Sequence, residues 1–415
     1  MAWKEDRVMD VMPDGKTACI AFADGCPRGV MDAALVVEYF RENGWTVTTS
    51  FSDASMVLIS TCGGVDFAED RCMKLVEIAS RKMRKSARLV LFGCLPGISG
   101  DRLRDAFGAE LVTPSALGRL DGIIGARVPL AEIKSPNVME PYIEQFDSCY
   151  SWFERNYVNL RLLGRYPFKL KARFMPHVKA LSCSYSSIAD IKVTYGCMGK
   201  CTYCAIRFGE GPLSSKPLLT VLDEFRAGLA EGRRTFRLIG GDVGAYGQDA
   251  GSDITVLLDA MLEHPGDYKI VWDDFNPEWL IRHYTGLRRI FAENADRIGY
   301  AGFPVQTGNQ RILGLMNRDY TVKDAKWHIA GLKKAAPGLK ITTHAIIGFP
   351  SETEEEFEDT LSMLGELSFT QVAAFKYCDR PNTEASGMPG KLPEKVKDKR
   401  LWRMSRMFPK ACVIG

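Results

Sequence analysis

The sequence predicts an α/β protein in which an N-terminal open parallel-sheet domain precedes a partial (β/α)6 barrel. Short β-branched segments alternate with amphipathic helical patterns along two separate stretches of the chain, and this alternation is typical of parallel sheets. The chain has 415 residues, of which 46% are hydrophobic and 25% are charged. That composition is typical of globular proteins and excludes a disordered or collagen-like chain.

The first series predicts an N-terminal domain over residues 1–130. Its strands are predicted at Thr17–Ala23, Met56–Ser60, Arg88–Phe92 and Glu110–Thr113, and its helices at Met31–Asn43 and Phe67–Lys85. In an open parallel sheet the carboxyl ends of the strands share one edge, where ligands bind. We therefore expect functional side chains to follow these strands.

Residues 131–185 are predicted as a basic, aromatic linker. Within it, Ser151–Ala180 carries seven lysines and arginines and six aromatic residues against the single acid Glu154. Basic residues interleaved with aromatic ones are typical of surfaces for single-stranded nucleic acid, and equally of surfaces for an acidic peptide. An amphipathic linker packed over the domain junction has the same composition.

The second series predicts the partial barrel over residues 186–400, with a C-terminal tail over 401–415. Six strands are predicted at 190–195, 235–240, 268–272, 298–305, 340–347 and 371–377. Five helices are predicted at Leu218–Glu231, Ile254–Glu263, Glu278–Asn294, Val322–Ala335 and Glu354–Leu367. Six such units over about 200 residues are too few for a closed eight-stranded barrel, and they place the active face at the carboxyl ends of the strands.

The cysteines predict a sulfur-ligated metal. The chain has 12 of them, which is too few for a disulfide scaffold and unusual in a reducing cytosol unless some bind metal. The five histidines show no spacing of a His-Glu-x-x-His zinc site. Cys26, Cys62 and Cys94 each follow a predicted strand, so these three thiols can converge on one sheet edge although they are far apart in the chain.

A second group, Cys197, Cys201 and Cys204, forms a C-x3-C-x2-C loop directly after the first strand of the barrel. Three thiolates in one tight loop can hold three irons of a [4Fe–4S] cubane and leave the fourth iron open for a small molecule. Zinc is the alternative, but structural zinc prefers four ligands in paired knuckles, and no partner pair lies nearby in the sequence.

This loop and four further motifs resemble the radical S-adenosylmethionine (SAM) methylthiotransferases. The further motifs begin at Leu238-Ile-Gly-Gly-Asp, Pro304-Val-Gln-Thr-Gly, Ile346-Ile-Gly-Phe-Pro and Phe375-Lys-Tyr-Cys-Asp, and the resemblance spans about residues 17–400. It implies two [4Fe–4S] clusters: one held by the barrel loop, which binds and cleaves SAM, and one held by Cys26, Cys62 and Cys94. It also implies that two SAM equivalents convert an unactivated C–H bond into C–SCH₃. An electron donor such as flavodoxin or ferredoxin is a further implied partner.

The same resemblance suggests residues that contact SAM. Gly240 and Gly241 end a strand where the backbone could approach the SAM amino group, because glycine lacks a Cβ; an ordinary turn is the alternative. Gln306 and Arg318 could meet the SAM carboxylate or ribose, with a surface or helix-capping role as the alternative. Cys378 lies at a strand end where we expect serine in relatives, and a catalytic role there is possible.

Two substrates are compatible with the resemblance. Most such enzymes that act on tRNA or a ribosomal protein carry a C-terminal TRAM domain, and we expect that module to be absent here because the match runs to about Arg403. The favoured substrate is a peptide or protein side chain, including a ribosomally made peptide, because tRNA binding needs several phosphate contacts and the net charge is only +3. A tRNA adenosine is the alternative substrate. A non-enzymatic iron–sulfur scaffold or sensor is disfavoured, because the barrel with its strand-end motifs would be superfluous for it.

The sequence predicts no membrane partner and a cytoplasmic location. No apolar run reaches the ~18 residues that a membrane span needs. The residues after Met1 show no apolar signal core.

Overall fold

The computed structural model describes residues 15–22, 26–136, 188–408 and 411–414. Most of the predicted linker, including its basic and aromatic part, lies outside the described residues. The prediction that this segment recognises a substrate therefore stays a prediction.

The N-terminal domain is a five-stranded, all-parallel sheet in the order β2-β1-β3-β4-β5. Its strands are β1 (Thr17–Phe22), β2 (Thr46–Thr48), β3 (Met56–Thr61), β4 (Arg88–Gly93) and β5 (Glu110–Val112). Its helices are α1 (Pro27–Glu42), α2 (Asp66–Lys82), α3 (Leu95–Phe107) and α4 (Leu120–Ile124), with 3-10 turns at Pro114–Arg119 and Leu130–Glu132. β3 is central and buried along its whole length, as its apolar sequence requires of a strand covered on both faces.

Alternation along the strands divides this core into two layers. In β1, Cys19 and Ala21 pack on the side of α2 and α3, whereas Ala18 and Ile20 pack against α1. Successive side chains of a strand point to opposite faces of the sheet, so both faces are covered. α2 also carries Asp66 in its first turn and basic residues in its last turn, which complements the helix dipole.

The second domain is a seven-stranded parallel sheet in the order β14-β13-β12-β11-β10-β9-β6, accompanied by a two-stranded antiparallel ribbon of β7 and β8. The strands are β6 (Ile188–Lys192), β7 (Thr194–Tyr195), β8 (Ser214–Ser215), β9 (Thr235–Ile239), β10 (Lys269–Trp272), β11 (Ile298–Gly302), β12 (Ile341–Ile347), β13 (Gln371–Lys376) and β14 (Ala411–Ile414). The helices are α5 (Ile206–Glu210), α6 (Leu218–Ala230), α7 (Ile254–Leu262), α8 (Pro277–Arg282), α9 (Tyr284–Glu293), α10 (Gln310–Leu315), α11 (Val322–Ala335), α12 (Glu354–Leu367) and α13 (Glu394–Met407), with 3-10 turns at Val243–Ala245 and Glu384–Gly387. One large apolar core lies between this sheet and its helices. The parallel α/β architecture of both domains agrees with the predicted fold class.

Several features differ from the sequence-based expectation, which contained neither β2 nor the helices α3 and α13. The tail expected over residues 401–415 instead contains the end of α13 and strand β14, which pairs in parallel with β13 and adds a seventh strand to the six predicted. The helix predicted at Glu278–Asn294 is two helices, because the backbone at His283 departs from helical geometry (φ −106°, ψ 23°). The strand predicted at 190–195 is divided, since β7 turns away from the parallel sheet to pair with β8.

Among the helices in the described parts of the chain, none is both long and apolar enough to cross a membrane.

Candidate functional site

The barrel thiols lie in the loop between β7 and α5. Gly196 opens this loop with φ +67°, and a Cβ there would lie 1.9 Å from the Pro212 carbonyl oxygen, so only glycine fits. The amide of Gly199 donates to Cys197 Sγ at 3.2 Å. A Cβ on Gly199 would lie 3.2 Å from Cys197 Sγ and 3.7 Å from the Sγ of Cys201, so this glycine leaves space between two of the thiols.

The chemistry of this loop fits an iron–sulfur cluster. Burial raises the pKa of Cys197 to about 12 and also raises the pKa of Cys204, so these thiolates need a strongly positive partner. Within the described residues, no group of His, Cys, Asp and Glu side chains is arranged for a single metal ion. A cubane distributes its cysteine ligands over separate irons, and three thiols in one loop supply that donor set.

The N-terminal thiols meet at the carboxyl edge of the first sheet. Cys26 directly precedes α1, Cys62 follows β3, and Cys94 follows β4. The neighbouring Cys62 thiol together with burial raises the pKa of Cys26. The three side chains line one small cavity of about 20 Å³. Nine cysteines have side chains that the structure describes, and all nine are free thiols.

A larger cavity of about 320 Å³ lies between the two domains, within the size range of small-molecule sites. Its lining brings together residues that the sequence analysis singled out at distant positions. These are Cys62 from the first domain and Cys197, Cys201, Cys204, Gly241, Gln306, Arg318 and Cys378 from the second. One cavity therefore reaches Cys62 of the first domain and all three barrel thiols.

Gln306 is held in an unusual conformation in the wall of this cavity. Its φ is +68°, in the left-handed region that a non-glycine residue rarely adopts. Its amide donates to the His344 carbonyl and its carbonyl accepts from the amide of Ile346, which fixes the strained backbone. The side-chain Oε1 is buried and has no hydrogen-bond partner. A buried, unpaired acceptor on a strained residue is typical of a ligand site.

Arg318 is half-buried beside the barrel thiols. Its Nη2 donates to Asn276 Oδ1 at 2.6 Å and to the Pro304 carbonyl at 3.0 Å, while Nη1 lies 3.4 Å from Cys201 Sγ. Its Nε is buried without a partner. Arg318 thus lines the cavity, and its contact with SAM stays a prediction.

The two glycines after β9 are required by strand packing. A Cβ on Gly240 would lie 2.0 Å from Thr194 Oγ1, and one on Gly241 would lie 2.1 Å from the Gly196 carbonyl oxygen. Gly241 lines the cavity, whereas Gly240 lies outside its lining. Neighbouring protein atoms, and not a ligand, are thus what exclude a side chain at both glycines. Of the two glycines, only Gly241 is placed to face a ligand.

Sequence analysis missed Asp242, which follows these glycines. Its Oδ2 accepts from Trp279 Nε1 at 2.8 Å, and its Oδ1 accepts from the amides of Gly244 and Asn276 at 3.1 Å. Burial raises the pKa of Asp242 to about 6. Its place directly after a strand-end glycine pair was the one signal in the sequence that could have identified it.

Arg28 was also missed, although it lines both cavities. Its Nη1 lies 3.2 Å from Glu210 Oε1 and donates to the Gly240 carbonyl at 3.2 Å. Arg28 belongs to the first domain and both partners belong to the second. This guanidinium therefore lies between the two groups of thiols.

Cys378 lies in the shared cavity, as its strand-end position predicted. Burial raises the pKa of its thiol, which disfavours a nucleophilic thiolate. Nearby, Arg380 forms a buried ion pair with Glu69 of the first domain, and Glu69 also accepts from Arg102 at 2.7 Å. The structure thus favours a wall position for Cys378 over a reactive one.

Comparison with known proteins identifies both domains. The radical SAM superfamily model matches residues 191–364, and that of the uncharacterized protein family UPF0004 matches residues 19–113. Ribosomal protein uS12 methylthiotransferase RimO from Chlamydia pneumoniae is 26% identical over 387 residues, covering 92% of this chain and 75% of the relative. This chain is similar to radical SAM methylthiotransferases over most of its length.

The methylthiotransferase homologues differ in substrate. Threonylcarbamoyladenosine tRNA methylthiotransferase MtaB from Thermotoga maritima is 27% identical over 379 residues, covering 91% of this chain and 78% of the relative, so protein-modifying and tRNA-modifying relatives are equally similar. Among solved structures, the radical SAM methyltransferase TsrM from Kitasatospora setae superposes with a TM-score of 0.60 at 14% identity, covering 89% of this chain and 75% of TsrM. At that identity it shows a shared fold. The match to the radical SAM superfamily over residues 191–364 is consistent with one [4Fe–4S] cluster and SAM.

Proposed function

We propose that this enzyme is a methylthiotransferase with two [4Fe–4S] clusters that uses two SAM equivalents to replace an unactivated C–H with C–SCH₃. The observation that carries the proposal is the single cavity that reaches both Cys62 and the barrel thiols. A radical reaction followed by sulfur insertion requires both centres to act on one substrate atom in a space that excludes competing reactions. A cavity between the domains meets that requirement.

The chain's own residues take separate roles in this proposal. Cys197, Cys201 and Cys204 hold the barrel cluster, and Cys26, Cys62 and Cys94 hold the second. When bound, the barrel cluster would supply the electron for cleavage of SAM to methionine and a 5′-deoxyadenosyl radical, which becomes 5′-deoxyadenosine by taking a hydrogen atom from the substrate. The second cluster would supply the sulfur, and the other SAM its methyl group.

The SAM contacts come from the cavity wall. The unpaired Oε1 of Gln306 accepts from a donor of SAM, such as its amino group or ribose hydroxyls, and the guanidinium of Arg318 orients its carboxylate. Gly241 leaves the cavity wall open beside them. An electron donor such as flavodoxin or ferredoxin supplies the electron.

Counting iron tests the two-cluster function. We expect about eight irons and eight sulfides per chain after anaerobic reconstitution, because each thiol triad holds one cubane. The Cys26/Cys62/Cys94 triple alanine variant should retain about four. About four irons in both proteins would contradict the proposal and leave a radical SAM enzyme of another reaction.

For the substrate we propose a peptide or protein side chain, including a ribosomally made peptide. A net charge of +3 provides little of the phosphate neutralisation on which tRNA affinity depends. The second candidate is a tRNA adenosine, which the equal similarity to MtaB favours.

Fluorescence anisotropy with labelled tRNA over a salt series separates the two substrates. For a peptide substrate we expect no tRNA binding even at low salt. A submicromolar affinity that falls steeply with salt would favour tRNA as the substrate, because each phosphate contact releases a counterion. Unrelated RNA of the same length is the control for non-specific attraction.

We also propose a cytoplasmic location. Nine described cysteines without a disulfide fit a reducing compartment. Fractionation of cells that produce the protein, followed by immunoblotting, tests this location.

A further inference from the structure

The two domains meet at a pair of glycines placed directly after the two groups of thiols. Gly97 lies in α3, which begins immediately after Cys94, and Gly209 lies in α5, which begins shortly after Cys204. The helix that follows a thiol of one triad therefore packs on the helix that follows a thiol of the other.

Neither glycine leaves room for a side chain. A Cβ on Gly209 would lie 2.3 Å from the Cys94 carbonyl oxygen and 2.7 Å from the Cβ of Cys94. A Cβ on Gly97 would lie 2.5 Å from the Phe208 carbonyl oxygen and 2.7 Å from the Cα of Gly209. Because the opposing atoms belong to backbone or to its first side-chain carbon, no rotamer change can relieve these contacts.

Backbone conformation does not explain the two glycines. Neither has φ in the left-handed region, so an alanine could adopt both local conformations. The requirement for glycine comes from the contact between domains alone. Ordinary van der Waals contact begins at 3.4 Å, and one methyl group at Gly209 would therefore push Cys94 away by about 1 Å.

Two buried ion pairs hold the same interface at other places. Lys192 Nζ lies 2.8 Å and 3.0 Å from the two carboxylate oxygens of Asp32, with both side chains under 5% exposed. Glu69 and Arg380 form the second pair. With these anchors in place, the interface has little freedom to absorb a methyl group by a small rotation.

We infer that Gly97 and Gly209 are positioning residues that set the separation between the two thiol triads. The inference rests on the proposed two-cluster function and goes beyond it, since it assigns the spacing of the two centres to one glycine–glycine contact. Displacing reacting groups by about 1 Å can reduce a rate on the order of 100-fold. Methylthiolation should therefore depend on this contact far more than SAM cleavage does.

The first test uses metal-free protein and hydrogen–deuterium exchange. In Gly97→Ala and in Gly209→Ala we expect amide exchange in α3 and α5 to become about tenfold faster, because the local contact that protects them is weakened. Gly122→Ala is the matched control: it is also a helical glycine of the first domain, and its Cβ would meet nothing within 4 Å. Unchanged exchange in both variants would overturn the inference.

The second test measures the separation itself in reconstituted, reduced protein. Dipolar broadening of the electron paramagnetic resonance signal depends on the distance between two paramagnetic clusters, and we expect it to weaken in both alanine variants and to stay unchanged in Gly122→Ala. Methylthiolation should fall about 100-fold, while formation of 5′-deoxyadenosine changes less than about threefold.

Each remaining result has a defined meaning. Faster exchange with unchanged broadening would overturn the positioning role and leave a contact that matters for stability alone. Loss of SAM cleavage in both variants would also overturn it, since the contact would then support the barrel loop itself. Four irons in the wild-type protein would instead contradict the proposed function, and the exchange measurement does not depend on that number.

Discussion

The two thiol triads reach similar settings by opposite routes. Cys197, Cys201 and Cys204 lie in one loop whose shape depends on local turns at Gly196 and Gly199. The other three thiols are separated along the chain and meet only because β1, β3 and β4 are neighbours in one parallel sheet. The first triad is a property of a short sequence, whereas the second is a property of a whole domain. Damage to the fold should therefore affect the second triad first.

The largest effect is expected from a substitution that removes one thiol of the barrel triad. Cys201→Ala should abolish 5′-deoxyadenosine formation, because two thiolates do not hold a SAM-binding cubane. Chromatography of the products formed from SAM and dithionite measures this activity. Cys19→Ala, in the apolar core of the first domain, is the control and should keep the activity. Retained cleavage in Cys201→Ala would remove this loop from the mechanism.

Breaking the N-terminal triad should separate the two activities. Cys62→Ala should still form 5′-deoxyadenosine yet fail to produce the methylthiolated product, since the roles of the two centres differ. Iron should fall from about eight to about four per chain. If both activities disappear while circular dichroism shows an intact fold, the triads do not act separately.

A third prediction concerns the stability that the buried Asp32–Lys192 ion pair gives to the interface between the two domains. Asp32→Ala leaves Lys192 charged and unpaired in the interior, and removing one partner of a buried pair costs about 3–5 kcal/mol. Chemical denaturation of the metal-free protein measures this loss. Asp32→Leu combined with Lys192→Met should recover most of it. Asp101→Ala, which breaks an exposed pair with Arg104, should cost less than about 1 kcal/mol.

The smallest effect concerns Gln306 of the second domain. No residue in the described part of the first domain is assigned the same role. Gln306→Ala and Gln306→Gly both remove the unpaired Oε1 and should weaken SAM binding about tenfold, the loss of one hydrogen bond of about 1.4 kcal/mol. Gln306→Gly should be about 1 kcal/mol more stable than Gln306→Ala, because glycine adopts positive φ without strain. Titration calorimetry and denaturation measure the two quantities. Equal stabilities would show that φ +68° is not strained.

The sequence was most informative where structure is local or strongly periodic. Most predicted strands and helices lie within two or three residues of those observed, and the C-x3-C-x2-C spacing identified the barrel loop directly. Strand β14 was missed because it follows a helix with a low-hydrophobicity sequence and is only four residues long. The break at His283 was missed because both halves of the segment carry one continuous helical pattern.

The site was predictable in its cysteines and much less so in its supporting groups. Strand-end positions placed Cys26, Cys62 and Cys94 at one edge, because that argument needs only the sheet topology. Arg28 and Asp242 acquire their roles from partners in distant elements. The packing of Gly209 against Cys94 is likewise invisible without the relative placement of two domains.

Strand β14 has a consequence for handling the protein. It pairs with β13 from Val372 to Phe375, so that the edge of the barrel sheet is a strand of four residues and not the longer strand of six. An uncovered edge presents unpaired N–H and C=O groups that recruit strands from other molecules. Removing the residues from Ala411 onward should therefore show itself first as self-association in size-exclusion chromatography, before any catalytic step is impaired. The last few residues of the chain thus protect its solubility.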